Sequence, residues 1–233
     1  LWIRDVFRNT LIPIFAAKTQ NKLHSMKKLF SLAIVLLSIV TAHAQNDPNA
    51  KKILDMVSAK VKSFSTITAN FSINSVSSKG KNNGVKSGII SIKGAKYVLA
   101  QGKMQVICDG VKTYNFDGAK TITVTSLEES NQSLSPQKIL SGDYAKDFVC
   151  KLIGTKAGLS EIEMKPIDAR KNFSKVNVFV DNAKSMITKA VILDKSNNTL
   201  QVSFSNLVSN KVLDNAIFVF NKAKYPKDVE ILD

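Results

Sequence analysis

The feature that most constrains this chain is a two-residue alternation of apolar and polar side chains that recurs between residues 66 and 221. In the run TITANFSINSV, for example, Ala69, Phe71 and Ile73 alternate with polar residues. Because successive side chains of a β-strand point to opposite faces, this period predicts strands with one apolar and one polar face. Lys-Gly, Asp-Gly and Asn-Gly pairs separate the runs, as hairpins require. The pattern predicts an antiparallel meander of about eleven strands, a sheet large enough to curl or close. The alternation is found at residues 66–76, 88–94, 96–101, 104–110, 111–118, 120–126, 147–154, 159–166, 173–181, 187–195, 200–207 and 216–221.

Two helical segments accompany the strands. Asp47 and Pro48 supply an N-cap acceptor and a proline at the first helical position, and the helix predicted over 48–64 is amphipathic. Residues 133–142 predict a short helix that is capped by Ser135 and has Ile139 and Leu140 on its apolar side. Apolar helix faces need a partner surface, so both helices are expected on the apolar side of the sheet. The predicted fold class is therefore α+β.

Residues 26–44 have the three parts of a secretory signal peptide: two lysines after Met26, an apolar run, and an Ala-His-Ala end. The apolar run is shorter than the about 20 residues that a membrane-spanning helix needs. Residues 1–25 are interpreted as an upstream extension outside the folded protein, and residues 45–233 as one domain. The first cysteine is Cys108, so no lipid anchor is expected at the new N-terminus, and the exported product is expected to be soluble.

Removal of the signal peptide would also remove both histidines, His24 and His43. Without an imidazole base, nucleophilic triads are excluded and a metal site is disfavoured, so no catalytic residue, metal or cofactor is predicted. Glu161 and Glu163 share one strand face and are expected to point to water. A hydrolase that works with carboxylates alone stays open as an alternative.

The charge of the exported segment bears on its partners. From Gln45 onward the chain has 27 basic and 17 acidic residues, a net charge of +10, but Arg170 is its only arginine. Nucleic-acid recognition favours arginine, so no nucleic-acid partner is predicted. Anionic membrane surfaces or acidic partners suit this charge, as does a simple solvated lysine surface. Cys108 and Cys150 are predicted to be either a disulfide or two buried thiols.

The apolar face of the sheet is either a packed core or the wall of a hydrophobic cavity, because both have the same pattern in a sequence. Ligand sites are often found in the mouths of barrels. Ten residues are candidates for such a cavity, with Ile139 and Leu140 as the lid: Phe71, Ile73, Ile90, Ile92, Tyr97, Leu99, Tyr114, Phe116, Val202 and Phe204.

Taken in order, the motifs resemble those of the periplasmic outer-membrane lipoprotein carrier proteins (the LolA type). The similarity begins with the amphipathic helix from Pro48 and covers essentially all of residues 48–233. The similar segments after the helix are SFSTITANFSINSV, GIISIKGAKYVL, CDGVKTYNF, SPQKILSG, the strand end that contains Pro166, ILDKSNNTLQVSFSN and FVFNKAKYPKDVEIL. The resemblance implies an unclosed antiparallel half-barrel with a helical lid. It also implies a soluble periplasmic chaperone, expected to be a monomer, that shields lipoprotein acyl chains. Its implied partners are an inner-membrane ABC transporter, which releases the lipoprotein, and an outer-membrane acceptor.

The chain departs from the family at two points. The family's lid-locking arginine follows a strand lysine that corresponds to Lys93, and this chain has Gly94 there. The family's chamber is also rich in tryptophan, whereas the only tryptophan here is Trp2. Control of the lid is therefore expected to differ from that of the family. The same fold also leaves a binder or sensor of another lipid open as an alternative function, and an envelope scaffold is a further alternative.

Overall fold

The computed structural model describes residues 46–130, 134–141, 144 and 146–233. The predicted signal peptide at 26–44 and the extension at 1–25 lie outside the described residues. Among the described helices, none is long and apolar enough to cross a membrane.

The first helix, α1 (Pro48–Lys62), begins as the sequence predicts. Asp47 caps it by accepting hydrogen bonds from the backbone N–H groups of Asn49 (2.8 Å) and Ala50 (3.4 Å). The second carboxylate oxygen of Asp47 accepts a hydrogen bond from the N–H of Leu152 at 3.0 Å, so the same side chain joins the helix to the sheet. Ala50, Leu54 and Val57 are buried, which gives α1 one face packed against other elements.

The strands form one sheet, and the predicted unclosed, antiparallel architecture is confirmed. Strand order is β12-β6-β5-β4-β3-β2-β1-β11-β10-β9-β8-β7, and β12 and β7 are the two edges. Neighbours pair antiparallel except β12 and β6. The strands are β1 (Ile67–Val76), β2 (Asn82–Lys93), β3 (Lys96–Gln101), β4 (Met104–Cys108), β5 (Lys112–Phe116), β6 (Thr121–Ser126), β7 (Phe148–Lys156), β8 (Leu159–Pro166), β9 (Phe173–Asp181), β10 (Met186–Asp194), β11 (Thr199–Ser209) and β12 (Glu230–Leu232).

The C-terminal region differs from the sequence prediction. The run at 216–221 was expected to be a strand, but its first part belongs to a 3₁₀ helix, Asn215–Phe218, and a second 3₁₀ helix follows at Lys222–Lys224. Phe220 stacks on Tyr114 and Phe218 is fully buried, so both aromatic side chains pack against the protein although the segment is not a strand. The described sheet gains its twelfth strand instead from β12, which runs parallel to β6.

The two faces of the sheet are covered by different parts of the chain. The face that carries Phe71 and Val202, here called the inner face, packs against α1 and against the short helix α3 (Pro136–Ser141). A one-turn helix, α2 (Leu127–Ser130), follows β6. The opposite, outer face of β2–β6 is crossed by residues 215–229, here called the C-terminal strap. The predicted placement of the helices on the apolar side is thus confirmed.

Candidate functional site

Eight of the ten candidate residues lie together on the inner face. The pairing register connects them, since residues directly opposite each other in antiparallel strands share a face. Phe71 is paired with Phe204 on one side and with Gly88 on the other. Ile90 is paired with Leu99, one step further along the sheet. Phe71, Ile90, Ile92, Tyr97 and Val202 are buried, and Ile73, Leu99 and Phe204 are half-buried.

The other two candidates, Tyr114 and Phe116, lie on the outer face. Cys108 faces inward and pairs with Thr113, so the next residue of β5, Tyr114, must face outward. There the Tyr114 ring stacks on Phe220 with 4.5 Å between the ring centroids, and Phe116 meets Tyr225 edge-to-face at 5.0 Å. In β5 the apolar residues thus lie beneath the strap, whereas the polar Thr113 and Asn115 lie on the inner face. An alternation of period two does not show which of the two faces is the inner one.

A first cavity of about 340 Å³ lies on the inner face, beside the C-terminal end of α1. Its apolar lining comes from α1 and the residues after it (Val61, Phe64), from the sheet (Ile67, Ile92) and from α3 (Leu140). Gly94 also lines this cavity. It lies in the turn between β2 and β3 with a φ of +57°, a left-handed conformation that glycine adopts without strain.

A second cavity of about 410 Å³ lies near the opposite end of the same strands. Leu134, Phe173, Ile192 and Leu200 form its apolar part. Its rim is polar and includes the side chain of Asn198, which donates a hydrogen bond to Asp194 at 2.7 Å. Of the residues named, Leu200 could have been found from the sequence, because it lies two positions before Val202 on the same strand face. Leu134 and Phe173 reach this cavity through tertiary packing alone.

The predicted lid helix α3 lies between the two cavities. Ser135 caps it by accepting a hydrogen bond from the N–H of Lys138 at 3.1 Å, as predicted. Ile139 is fully buried in the cluster that contains α1 and β7–β10, and Leu140 is buried in the cluster of β1–β4. An ion pair of 2.9 Å joins Lys138 to Asp147. The predicted lid residues thus hold α3 against both halves of the inner face.

The inner face carries little charge. Burial, with a smaller contribution from Cys108, raises the pKa of Tyr97 to about 12, so the phenol stays neutral at physiological pH. Cys108 and Cys150 are both buried free thiols and lie in separate clusters, so the thiol alternative holds and the disulfide does not. Burial raises the pKa of both, that of Cys150 to about 11. Within the described ranges, no three histidine, cysteine, aspartate or glutamate side chains group as metal ligands would.

The carboxylates that were expected to face water lie on the outer face, away from the cavities. Glu161 accepts a hydrogen bond from the side-chain amide of Asn177 at 2.6 Å, and Glu163 pairs with Lys175 at 3.2 Å. The Lys175 hydrogen bond is the largest contribution that lowers the pKa of Glu163. The inner face therefore offers mainly apolar contacts to a ligand.

Comparison with known proteins bears on what such a site does. The family model described as outer membrane lipoprotein carrier protein LolA matches residues 62–221. No curated protein matches the chain. Among solved structures, the chain is similar to an uncharacterised conserved protein from Thermus thermophilus (10% identity, TM-score 0.50, covering 79% of this chain and 98% of that one). It is also similar to a LolA superfamily protein from Nitrosomonas europaea (13% identity, TM-score 0.44, 73% and 97%) and to the lipoprotein LppX of Mycobacterium tuberculosis (15% identity, TM-score 0.42, 72% and 99%).

Proposed function

The chain belongs to the outer membrane lipoprotein carrier protein (LolA) family, and from that premise we propose that it is a soluble periplasmic chaperone that carries lipoproteins to the outer membrane. The acyl chains would bind on the inner face, against Phe71, Ile73, Ile90, Ile92, Tyr97, Leu99, Val202 and Phe204. The observation that carries the proposal is this apolar face, which has one cavity on either side of a six-residue helix and whose charged lining residues are Lys62 in the first cavity and Asp194 in the second.

The energetics of α3 support its role as a lid. A helix of six residues is not stable on its own, so contacts such as those of Ile139 and Leu140 must hold it in place. Burial of two such side chains contributes roughly 3–6 kcal/mol. Sheltering one methylene group from water contributes about 0.8 kcal/mol, so about six methylenes of an acyl chain offset the release of both side chains. An acyl chain can therefore displace the lid, whereas a small polar molecule cannot.

The control of this lid would differ from that of the family, because Gly94 has no side chain to hold α3. In the present structure α3 is held by its two buried apolar residues and by the Lys138–Asp147 ion pair. We propose that an inner-membrane ABC transporter supplies the lipoprotein and that an outer-membrane acceptor receives it. The charge of +10 from Gln45 onward would favour approach to anionic membrane surfaces.

Site-specific photo-crosslinking tests the proposal. Phe204 and Ser203 are adjacent in β11 and both half-buried, but Phe204 faces inward and pairs with Phe71, whereas Ser203 faces outward and pairs with Ser72. A photoreactive amino acid at position 204 should crosslink to the acyl chains of a lipoprotein during its release from inner-membrane vesicles. The same residue at position 203 is the matched control and should not.

The products of crosslinking separate the alternatives. Lipoprotein adducts at position 204 support the carrier. Phospholipid adducts alone would favour a binder or sensor of another lipid. Equal adducts at both positions, or adducts at 203 only, would contradict binding at the inner face. Depletion of the protein should also leave outer-membrane lipoproteins in the inner membrane.

A further inference from the structure

The outer face of β2–β4 is apolar, and the C-terminal strap covers it only in part. Ile89 in β2 is 52% exposed, and Val219 in the strap is 54% exposed. On the other half of the sheet, the same face carries the ion pair between Glu163 and Lys175, which suits contact with water. Partly open apolar surface often marks a binding site.

This surface encloses a third cavity, of about 320 Å³, between the strap and the sheet. The sheet separates it from both inner cavities, because its strand residues alternate with those that face α1 and α3. Ile89, Val98, Ala100 and Ile107 form its floor, and Ile217 and Val219 of the strap form its wall. The volume lies near the lower end of the ~300–1,000 Å³ that is usual for small-molecule sites.

The polar groups of the cavity can all donate hydrogen bonds. The Oε1 atom of Gln105 accepts a hydrogen bond from the Tyr225 hydroxyl at 2.7 Å, which leaves the amide N–H groups of Gln105 as donors. Ser91 adds a hydroxyl group and Lys224 an ammonium group, and none of the lining residues carries a carboxylate. Lys224 makes no ion pair with any residue that the structure describes.

We propose that this outer cavity is a second lipid site, which binds a free alkyl carboxylate of medium length, that is, a fatty acid. The alkyl chain lies between Ile89, Ile107 and Val219, and the carboxylate binds the ammonium group of Lys224. The site differs from the inner face in both place and ligand class, because its cation recognises an ionised head group. It does not depend on the carrier role.

Methyl NMR of the purified protein with labelled isoleucines tests the site, because isoleucines line all three cavities. Titration with decanoate should shift the methyl signals of Ile89, Ile107 and Ile217 in a saturable manner. Occupation of the inner cavities would instead shift those of Ile67, Ile92 and Ile192. Decanol has the same chain without the charge and should bind more weakly.

Two substitutions and a matched control complete the test. Lys224→Glu should weaken decanoate binding about fivefold or more, since it replaces one exposed ion pair by repulsion. Lys222→Glu changes the same charge in the same 3₁₀ helix at a residue that does not line the cavity, and it should leave the affinity unchanged. Ala100→Phe fills the cavity from an exposed position and should abolish the shifts.

The decanoate titration can either support or overturn the outer site. Shifts at the three outer isoleucines that Lys224→Glu weakens and Lys222→Glu does not support the site. The site would be overturned if the methyl signals of Ile89, Ile107 and Ile217 did not shift, if only the inner isoleucines shifted, or if the two lysine variants bound decanoate with equal affinity. Neither Lys224→Glu nor Ala100→Phe alters the inner face, so crosslinking at position 204 should persist in both variants whatever the titration shows.

Discussion

A glycine on the inner face provides a sharp test of how tightly the sheet is packed. Gly88 of β2 is paired with Phe71 of β1, and the ring of Phe71 lies over it. A Cβ atom at position 88 would lie 2.6 Å from Cζ and 2.8 Å from Cε1 of Phe71, and closer still to the carbonyl oxygen of Ala100. Real Cβ atoms do not approach other heavy atoms below 3.0 Å. Gly88→Ala therefore requires the ring and the backbone of β3 to move.

The expected cost follows from these contacts. Overpacking by one methyl group typically costs about 1–3 kcal/mol, and the upper half of this range applies because one of the colliding atoms belongs to the backbone. Alanine also reduces the conformational entropy of the unfolded chain, and this effect raises the free energy of unfolding by about 0.4–1 kcal/mol. Gly88→Ala should thus lower the free energy of unfolding by about 2 kcal/mol, which corresponds to a fall in Tm of roughly 4–8 °C for a domain of this size.

The matched control is Gly154→Ala in β7. Gly154 is also a strand glycine without a left-handed backbone, but a Cβ atom there meets nothing within 4 Å. Its substitution should leave stability unchanged or raise it by about 0.5 kcal/mol. Urea unfolding of both variants measures the difference. If the two free energies of unfolding agree within about 0.5 kcal/mol, the packing of Phe71 over Gly88 is wrong.

A double-mutant cycle separates the two contacts of the new methyl group. Phe71→Leu in the Gly88→Ala background removes the ring that collides with it but leaves the carbonyl oxygen of Ala100 in place. A favourable coupling of about 1 kcal/mol or more between the two substitutions is expected if the ring contributes much of the strain. Strict additivity would assign the strain to the backbone contact instead.

Three further predictions concern the lid, the N-cap and the thiols. Ile139→Ala removes a fully buried lid residue and should lower the free energy of unfolding in urea by about 2–5 kcal/mol. Met56→Ala, at a position that is 43% exposed, should lower it far less. Equal losses of stability in the two variants would contradict the packing of α3. Hydrogen bonds from the backbone N–H of Leu152 and, to a smaller extent, of Asn49 lower the pKa of Asp47 below its usual value of 3.8. The stability that the charge of Asp47 provides is therefore present above pH 3.8 and is lost as the pH falls below that value. The stability advantage of wild type over Asp47→Asn, which keeps a capping oxygen, should therefore shrink below about pH 4, and a pH-independent difference would refute this. Burial raises the pKa of Cys108 and Cys150, so iodoacetamide at about pH 8 should label neither thiol before unfolding, as mass spectrometry can check.

The local sequence predicted most of the secondary structure because the signals are themselves local. The bounds 96–101, 159–166 and 173–181 agree with β3, β8 and β9, and the cap at Asp47 and the short helix after Ser135 lie where they were expected. The run at 216–221 failed for a physical reason. Phe220 packs on Tyr114 of the outer face and Phe218 is buried in a 3₁₀ helix, so a segment outside the sheet carries the same apolar spacing as a strand.

The sequence also determined which residues share a face, but it could not determine which face that is. Tyr114 and Phe116 lie opposite Val124 and Ile122, and all four face the strap and not the lid. Period-two alternation fixes only the relative orientation of side chains within a strand. Register with the next strand fixes the absolute orientation, and here Cys108 opposite Thr113 decides it. The tertiary structure alone therefore divided the apolar residues between an inner face beneath two helices and an outer face beneath the C-terminal strap.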